Sequence, residues 1–446
     1  MTRDGGALEG ADPEAAFERE VRAHLRSNYA KYLLHGVLGQ TGMRLVNAPT
    51  FVPAYVHLLS GSDLVVGLAR SLQYLGMFAT PLFGAAIVES RRRALPVAIA
   101  VGVAMRLPVL GLALAGFFVP APWKLPAICA LLLAFGAFLG MQGVAFGVLM
   151  AKLIPVERRG TLVGLRLFAG GLLAAAVAAV GGWLVEVDAF GDGYASTFAL
   201  AFALTSLGLL VFSRLREPAT PSVRPREPIG ARLRALPALL RSDTHFTRYF
   251  VARALATAGR MSMPFYALFA KQAIGLSGET LGVLSTCFLL AQTGANLGWG
   301  RLADRAGFRV VFLASLATWA AATLGLFASS TLPHFAVVFG AVGAGFGGFQ
   351  LSAQNLVLEF GERDDLPMRI AVANAASELV GAAGPLVGGA LAHAVSYGAV
   401  FAVSVAAQLG AIAIVLLFVD DPRHRRASAR AQVRASSDAD GGPADG

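Results

Sequence analysis

Charge is what this chain of 446 residues is short of: Asp, Glu, Lys and Arg make up 14% of it, against 56% apolar residues and a mean hydropathy of +0.63. Soluble domains carry about 25% charged residues, so this composition excludes a water-soluble globule and places the chain in a bilayer. Cysteine is nearly absent. Cys129 and Cys287 lie inside apolar stretches of different halves, which excludes a disulfide framework and leaves thiolate metal chemistry without ligands. His35, His57 and His393 are scattered with no metal-site spacing, and no His, Ser or acid cluster gathers at one depth for an embedded enzyme. No Gly-rich phosphate loop with Lys and Ser or Thr appears, so ATP is excluded as the energy source and no cofactor is expected. The first thirty residues mix Asp4, Glu9, Asp12, Glu14, Glu18 and Glu20 with Arg and hold no short apolar run ending in a cleavage site. The first apolar span is therefore expected to be retained.

Apolar runs are what the chain has. A hydrocarbon core of about 30 Å takes roughly 20 residues of helix, and lipid satisfies backbone polar groups in no other open-chain form. Twelve spans are predicted, near 31–59, 64–88, 95–119, 125–151, 161–186 and 196–213, then near 247–273, 280–303, 309–330, 333–359, 369–394 and 397–419. The fold class is all-α membrane protein, with a tail over 1–30, a six-helix bundle over 31–213, a linker over 214–246, a second six-helix bundle over 247–420 and a disordered tail over 421–446. Pro218, Pro221, Pro225 and Pro228 make the start of the linker an extended tether. Ile229, Leu233, Leu236 and Leu240 between arginines then predict an amphipathic helix on the lipid surface.

Basic residues cluster in alternate loops: Arg91 to Arg93, Lys152 with Arg158 and Arg159, Arg214 to Arg241, Arg301 to Arg309, Arg363 with Arg369, and Arg423 to Arg426. The opposite loops hold only Lys124 and Lys271, beside Asp63, Glu186, Asp188, Asp192 and Glu279. Retention of Lys and Arg on the inner side puts both termini in the cytoplasm. The net charge of +10 is thus a topology signal, and no nucleic-acid partner is expected. Abundant Ala and a preference for Arg over Lys point to a GC-rich bacterial genome, hence to a bacterial inner membrane. The partners are lipid and a small-molecule substrate, and the chain is read as a monomer.

The halves repeat. An offset of 216 pairs Arg44 with Arg260, Asp63 with Glu279, Gly84 with Gly300 and Arg93 with Arg309, and an offset of 208 pairs Phe138, Gly140 and Gln142 with Phe346, Gly348 and Gln350. Such repeats put a substrate site at the interface of the halves, near the middle of the bilayer. Polar groups at that depth each need a partner, a cavity or a ligand. Gln40, Arg44 and Asn47 share one face of span one, and Arg260 lies equally deep in span seven. Arg70 with Gln73, Arg106 and Arg166 also need partners. Glu378, with Asn374 one turn earlier, is the deep carboxylate, and could either pair with an arginine or carry a proton. Glu359, near the end of span ten, is the second proton-carrying candidate.

Gly300 to Arg309, GRLADRAGFR, fits the loop pattern G-x-L-x-D-R-x-G-x-R after the eighth span, and by it the chain resembles the major facilitator superfamily of secondary transporters. The resemblance implies two pseudo-symmetric six-helix bundles and a central cavity lined by spans one, four, seven and ten. Candidate substrate contacts are then Gln40, Arg44, Asn47, Gln142, Arg260, Tyr266, Gln350 and Gln354. It also implies a cytoplasmic gate in which Asp304 neutralises the start of span five near Gly160 and Thr161, Arg305 and Arg309 hold Asp304, and Gly300 allows close approach. The first-half copy is degenerate, with Glu89 one position late. One arginine on each of spans one and seven is similar to the organophosphate:phosphate antiporters of that family. The G-P-x-x-G-G element of drug/proton antiporters is missing from span five, while Gly384, Pro385, Gly388 and Gly389 spell it in span eleven, where it allows close packing. The expected function is secondary active transport of an organic or phosphorylated anion by alternating access, with H+ as a candidate coupling ion. Proton-coupled efflux of drugs or hydrophobic metabolites, and a non-transporting receptor, are the alternatives.

Overall fold

A computed structural model describes residues 13–89, 91–220, 240–241, 243–357 and 366–419, and all regular structure among them is helical. Eight helices are each long and apolar enough to cross a membrane: Leu95–Phe118, Ala121–Leu153, Glu157–Glu186, Gly193–Phe212, Gly278–Ala306, Phe308–Ala328, Leu332–Leu356 and Tyr397–Phe418. They are spans three to six, eight to ten and twelve. Span one is two helices, Pro13–Asn47 and Phe51–Ser60, parted at residues 48–50, and span two is Asp63–Ala79 and Pro81–Glu89, parted at Thr80. Span seven runs Thr244–Ala258, then a 3₁₀ stretch Gly259–Phe265, then Tyr266–Ile274. Span eleven is Leu366–Ala394. The twelve-helix, two-bundle architecture is as expected.

The first helix starts at Pro13 and enters span one without a break, so much of the stretch read as a tail is helical. The start of the linker is not a free tether either. Asn28 Nδ2 donates to the Arg216 carbonyl at 2.9 Å and Arg216 N returns a bond to Asn28 Oδ1 at 3.0 Å, while Lys31 Nζ holds the Arg214 carbonyl at 2.7 Å. The predicted amphipathic helix, apart from Leu240, and the C-terminal tail lie outside the described residues, as does Glu359.

The repeat seen in the sequence recurs in the packing. Span four passes span two so closely that a Cβ on Gly136 would strike the Gln73 carbonyl, and span ten passes span eight so that one on Gly343 would strike the Phe288 carbonyl. Gly140 has the same role against the Met77 carbonyl at 2.9 Å, whereas Gly143 and Gly147 have nothing within 4 Å. Packing of this kind, without a hydrophobic driving force between helices, is how bundles cohere in lipid.

Candidate functional site

The two bundles meet along two seams, span five with span eight and span two with span eleven. The end of the molecule that carries Gly300–Arg309 is the motif end, and the opposite one is the far end. Along the first seam, Glu186 Oε2 accepts from the Glu279 amide at 3.1 Å, Gly182 lies against Gly278 and Gly282, and Thr286 Oγ1 donates to the Ala175 carbonyl at 3.1 Å. Nearby, the buried hydroxyls of Thr50 and Ser285 join span one to span eight at 2.6 Å. The ladder ends at Gly171 and Thr293. Three or four residues per step keep one helix face, and continuing that face leads to Gly164 and Gly160 on span five and to Gly300 on span eight. None of these three has an atom within 4 Å of where a Cβ would stand. The seam is closed from the far end to mid-span and open from there to the motif end.

The second seam closes at the same end. Tyr397 donates to Asp63 Oδ1 at 2.7 Å, His57 Nδ1 stands 3.4 Å from the same oxygen, and a Cβ on Gly67 would meet the Pro385 carbonyl and, at 3.0 Å, Gly389. The Gly-Pro element of span eleven thus serves close packing, Gly388 against the Met261 carbonyl at 2.8 Å and Gly389 against that of Asp63 at 2.8 Å.

At mid-span each seam carries one arginine. Arg44 Nη1 donates to Thr293 Oγ1 at 2.9 Å, across the halves, and Nη2 to the Leu167 carbonyl of span five at 3.3 Å. Arg260 lies in the 3₁₀ stretch of span seven. Its guanidinium sits over the Tyr74 ring of span two, 4.6 Å from the centroid and again across the halves, with Phe346 of span ten at 5.8 Å. On its own half it faces Glu378: a Cβ on Gly381 would stand 3.5 Å from Arg260 Nη1 and 3.9 Å from Glu378 Oε2. Each arginine therefore sits where its own bundle's fifth helix meets the other bundle's second helix. The pair is related by the repeat but is not equal in charge. Among the described residues Arg44 has neutral acceptors only, whereas Arg260 has a carboxylate beside it, and both Arg260 Nε and Glu378 Oε2 are buried without hydrogen-bond partners.

Residues 248–439 match the family model described as Major Facilitator Superfamily. No curated protein matches the chain by sequence. Among solved structures, a D-xylose-proton symporter is similar at a TM-score of 0.70 and 14% identity, over 90% of this chain and 99% of that one. The nucleoside transporter NupG is similar at 0.64 and 13%, over 88% and 99%. The second half of the chain thus matches that family by sequence, and the whole chain shares the fold of those solved transporters. With eight helices able to cross a membrane among the described residues, it is a multi-pass membrane protein with the fold of those transporters.

Several expected site residues stand elsewhere than the sequence suggested. Tyr266 is buried inside the second bundle, its hydroxyl bonded to Ser262 and Thr323 at 2.7 Å and to Trp319 Nε1 at 3.0 Å. Those three bonds spend its hydrogen-bonding capacity on packing. Asn47 accepts from Gln73 at 2.6 Å, and Gln73 accepts from Arg70 at 2.7 Å. Arg70 also donates to the carbonyls of Val46 at 3.0 Å and Ala48 at 2.5 Å, where span one is interrupted. That network pins the break and is not visible in spacing. Gln40 packs against Gly170 of span five. Gln142 is buried with its Oε1 unpartnered, while Gln350 and Gln354 are exposed. Arg106 finds the Thr205 and Gly102 carbonyls at 2.7 and 2.6 Å, and Arg166 lies across Gly36 with Nε unpartnered.

At the motif end Asp304 and Arg305 are exposed and Gly300 is in open space. Arg309 does not hold Asp304. It donates to the carbonyls of Val415 and Val419 at 3.0 Å and of Leu416 at 3.3 Å, the unsatisfied end of span twelve, where a cation also opposes the helix dipole. The side chain of Glu89 lies outside the described residues. The interaction foreseen for Asp304, a carboxylate on the start of a helix in the other half, is made in this form at the far end by Glu186 on span eight.

Proposed function

We propose that the protein is a proton-linked secondary transporter of an organic or phosphorylated anion. It works by alternating access as a monomer in a bacterial inner membrane, with the motif end and both termini in the cytoplasm. The observation that carries the anion reading is Arg44, a mid-span guanidinium at the roof of the opening whose bonds among the described residues run to a hydroxyl and a carbonyl. A charge at that depth costs about 2.5 to 3.5 kcal/mol to insert, and its planar fork fits a carboxylate or phosphate. Arg260 supplies the second contact. The solved neighbours, named for a nucleoside and for D-xylose with a proton, support secondary transport and proton linkage; the anion reading rests on the arginines.

Glu378 gives the proton a place. It competes with the substrate for Arg260, so protonating it frees the guanidinium, and substrate and proton then travel together. In the alternate form Asp304 meets the start of span five, as Glu186 meets span eight here.

Proteoliposome uptake of a panel of phosphorylated and carboxylated metabolites, with lipophilic cations as controls, tests the reading. Arg44→Ala and Arg260→Ala should each cut anion uptake roughly 30-fold or more, since truncating one partner of a buried charged contact costs about 2 kcal/mol or more. Anion uptake left intact by both substitutions overturns the reading. Separately, wild-type uptake should rise as the substrate side is acidified while Glu378→Gln is flat, because the amide cannot take up a proton. A pH profile unchanged by Glu378→Gln removes it as the proton carrier.

A further inference from the structure

The hydrogen bond between Arg44 and Thr293 passes over a residue that has to be glycine. A Cβ on Gly171 would overlap Thr293 Oγ1 and come within 2.5 Å of Arg44 Nη1. Three helices meet there: span one brings the guanidinium, span five the bare backbone and span eight the hydroxyl. The place is also the last contact of the seam, since Gly164 on the same face of span five has nothing within 4 Å. It is thus a guanidinium bond across the halves at the roof of the opening, and its acceptor is a weakly polar alcohol that an anion can outcompete.

We infer that Thr293, through the window at Gly171, is a latch that keeps the far end shut while the transporter is empty, and that an anion bound by Arg44 takes the place of the Thr293 hydroxyl and releases it. Thr293 then acts as a positioning residue: it holds Arg44 aimed into the opening, and its loss of the guanidinium signals occupancy to the other bundle. Charge-assisted bonds are stronger than neutral ones, so exchanging a hydroxyl for an anionic oxygen is downhill for Arg44. The exchange leaves span eight with one tie fewer to the first half. The release step rests on the anion reading above. The latch itself does not.

Nitroxide labels at Val187 and Gln272, both exposed at the far end on opposite halves, report the closure by distance distribution in the full-length protein in nanodiscs. In anion-free buffer Thr293→Val and Gly171→Ala should each move the population about tenfold toward the far-end-open form, as expected for loss of a charged hydrogen bond. Thr293→Ser should restore the wild-type distribution, which a merely bulky or structural site would not do. Inorganic phosphate should shift the wild type in the same direction and leave Thr293→Val where it already is. Unchanged distributions in both Thr293→Val and Gly171→Ala overturn the latch. A wild type that phosphate does not move, with the variants shifted, overturns the release step and leaves the latch. Anion uptake that survives both Arg44→Ala and Arg260→Ala, with the Thr293→Val and Gly171→Ala distributions still shifted, overturns the anion reading and the release step with it and leaves the latch.

Discussion

Leucine at Gly182 is expected to keep the far end from closing and to abolish turnover of every substrate, whatever its charge. A Cβ there would lie 2.5 Å from Gly282 Cα and 2.6 Å from the Gly278 carbonyl. These are backbone atoms on the opposite helix, and neither can rotate away. Spans five and eight would have to part, and the closed seam that defines this form would cease to exist. Gly67→Leu does the same on the other seam, against the Pro385 carbonyl and Gly389. The partner experiment is Gly164→Leu. That position continues the same face but meets nothing within 4 Å, so the substitution is tolerated in this form and blocks the reverse one, in which the motif end must close. After replacement of Cys129 and Cys287, which are free thiols, single cysteines at each end can be probed with an impermeant maleimide. Gly182→Leu and Gly67→Leu should expose the far end and Gly164→Leu the motif end, all three with transport lost and the protein still folded. Wild-type turnover in Gly182→Leu would show that the seam between spans five and eight does not open and close.

The sequence and the structure agree best where a property is local and repeated. Twelve apolar runs, the repetition of the halves and the depth of Arg44 and Arg260 need only counting, and all three reappear: as helices, as the matching close approaches of span four to span two and of span ten to span eight, and as two arginines at mid-span on the two seams. What each arginine touches is not legible in the sequence. Thr293 is 249 residues from Arg44 and is ordinary in its own helix, and Tyr74 is one aromatic among many apolar neighbours. Tyr266 is legible as a polar group on span seven but its partners are not: Ser262, Thr323 and Trp319 take its hydroxyl inside the bundle, the last two 57 and 53 residues away in the sequence. Gly171, Gly182 and Gly67 read as generic small residues. Only the backbone of the opposite helix gives them their function.

Glu217 is the clearest case of a residue hidden by its surroundings, and removing it should cost the first bundle more stability than any other polar change outside the membrane centre. In the sequence it is a lone acid among Arg and Pro at the start of a linker. In the structure its carboxylate accepts from the amides of Ala94 and Leu95, each at 2.7 Å, and from Lys152 Nζ at 2.7 Å, and the pair is buried, 2% exposed for the glutamate and 10% for the lysine. Those amides open span three, where a carboxylate satisfies two orphan donors and opposes the positive end of the helix dipole. Thr220 N and Lys152 Nζ both donate to the Arg92 carbonyl, at 3.0 and 2.8 Å, so one side chain ties together the loop after span two, the ends of spans three and four, and the chain leaving span six. Removing one member of a buried pair costs about 3 to 5 kcal/mol because the other charge is left without a partner. That is a large part of a stability of about 5 to 15 kcal/mol, and Glu217→Ala should lower the unfolding midpoint in detergent by about 10 °C. Adding Lys152→Met to Glu217→Ala should recover part of the loss, since the stranded ammonium is then gone, and the coupling read from that cycle isolates the pair from the helix cap. A midpoint within about 2 °C of wild type for Glu217→Ala, set against that estimate, would mean that the bundle end is held by the bonds at Asn28 and Lys31 alone.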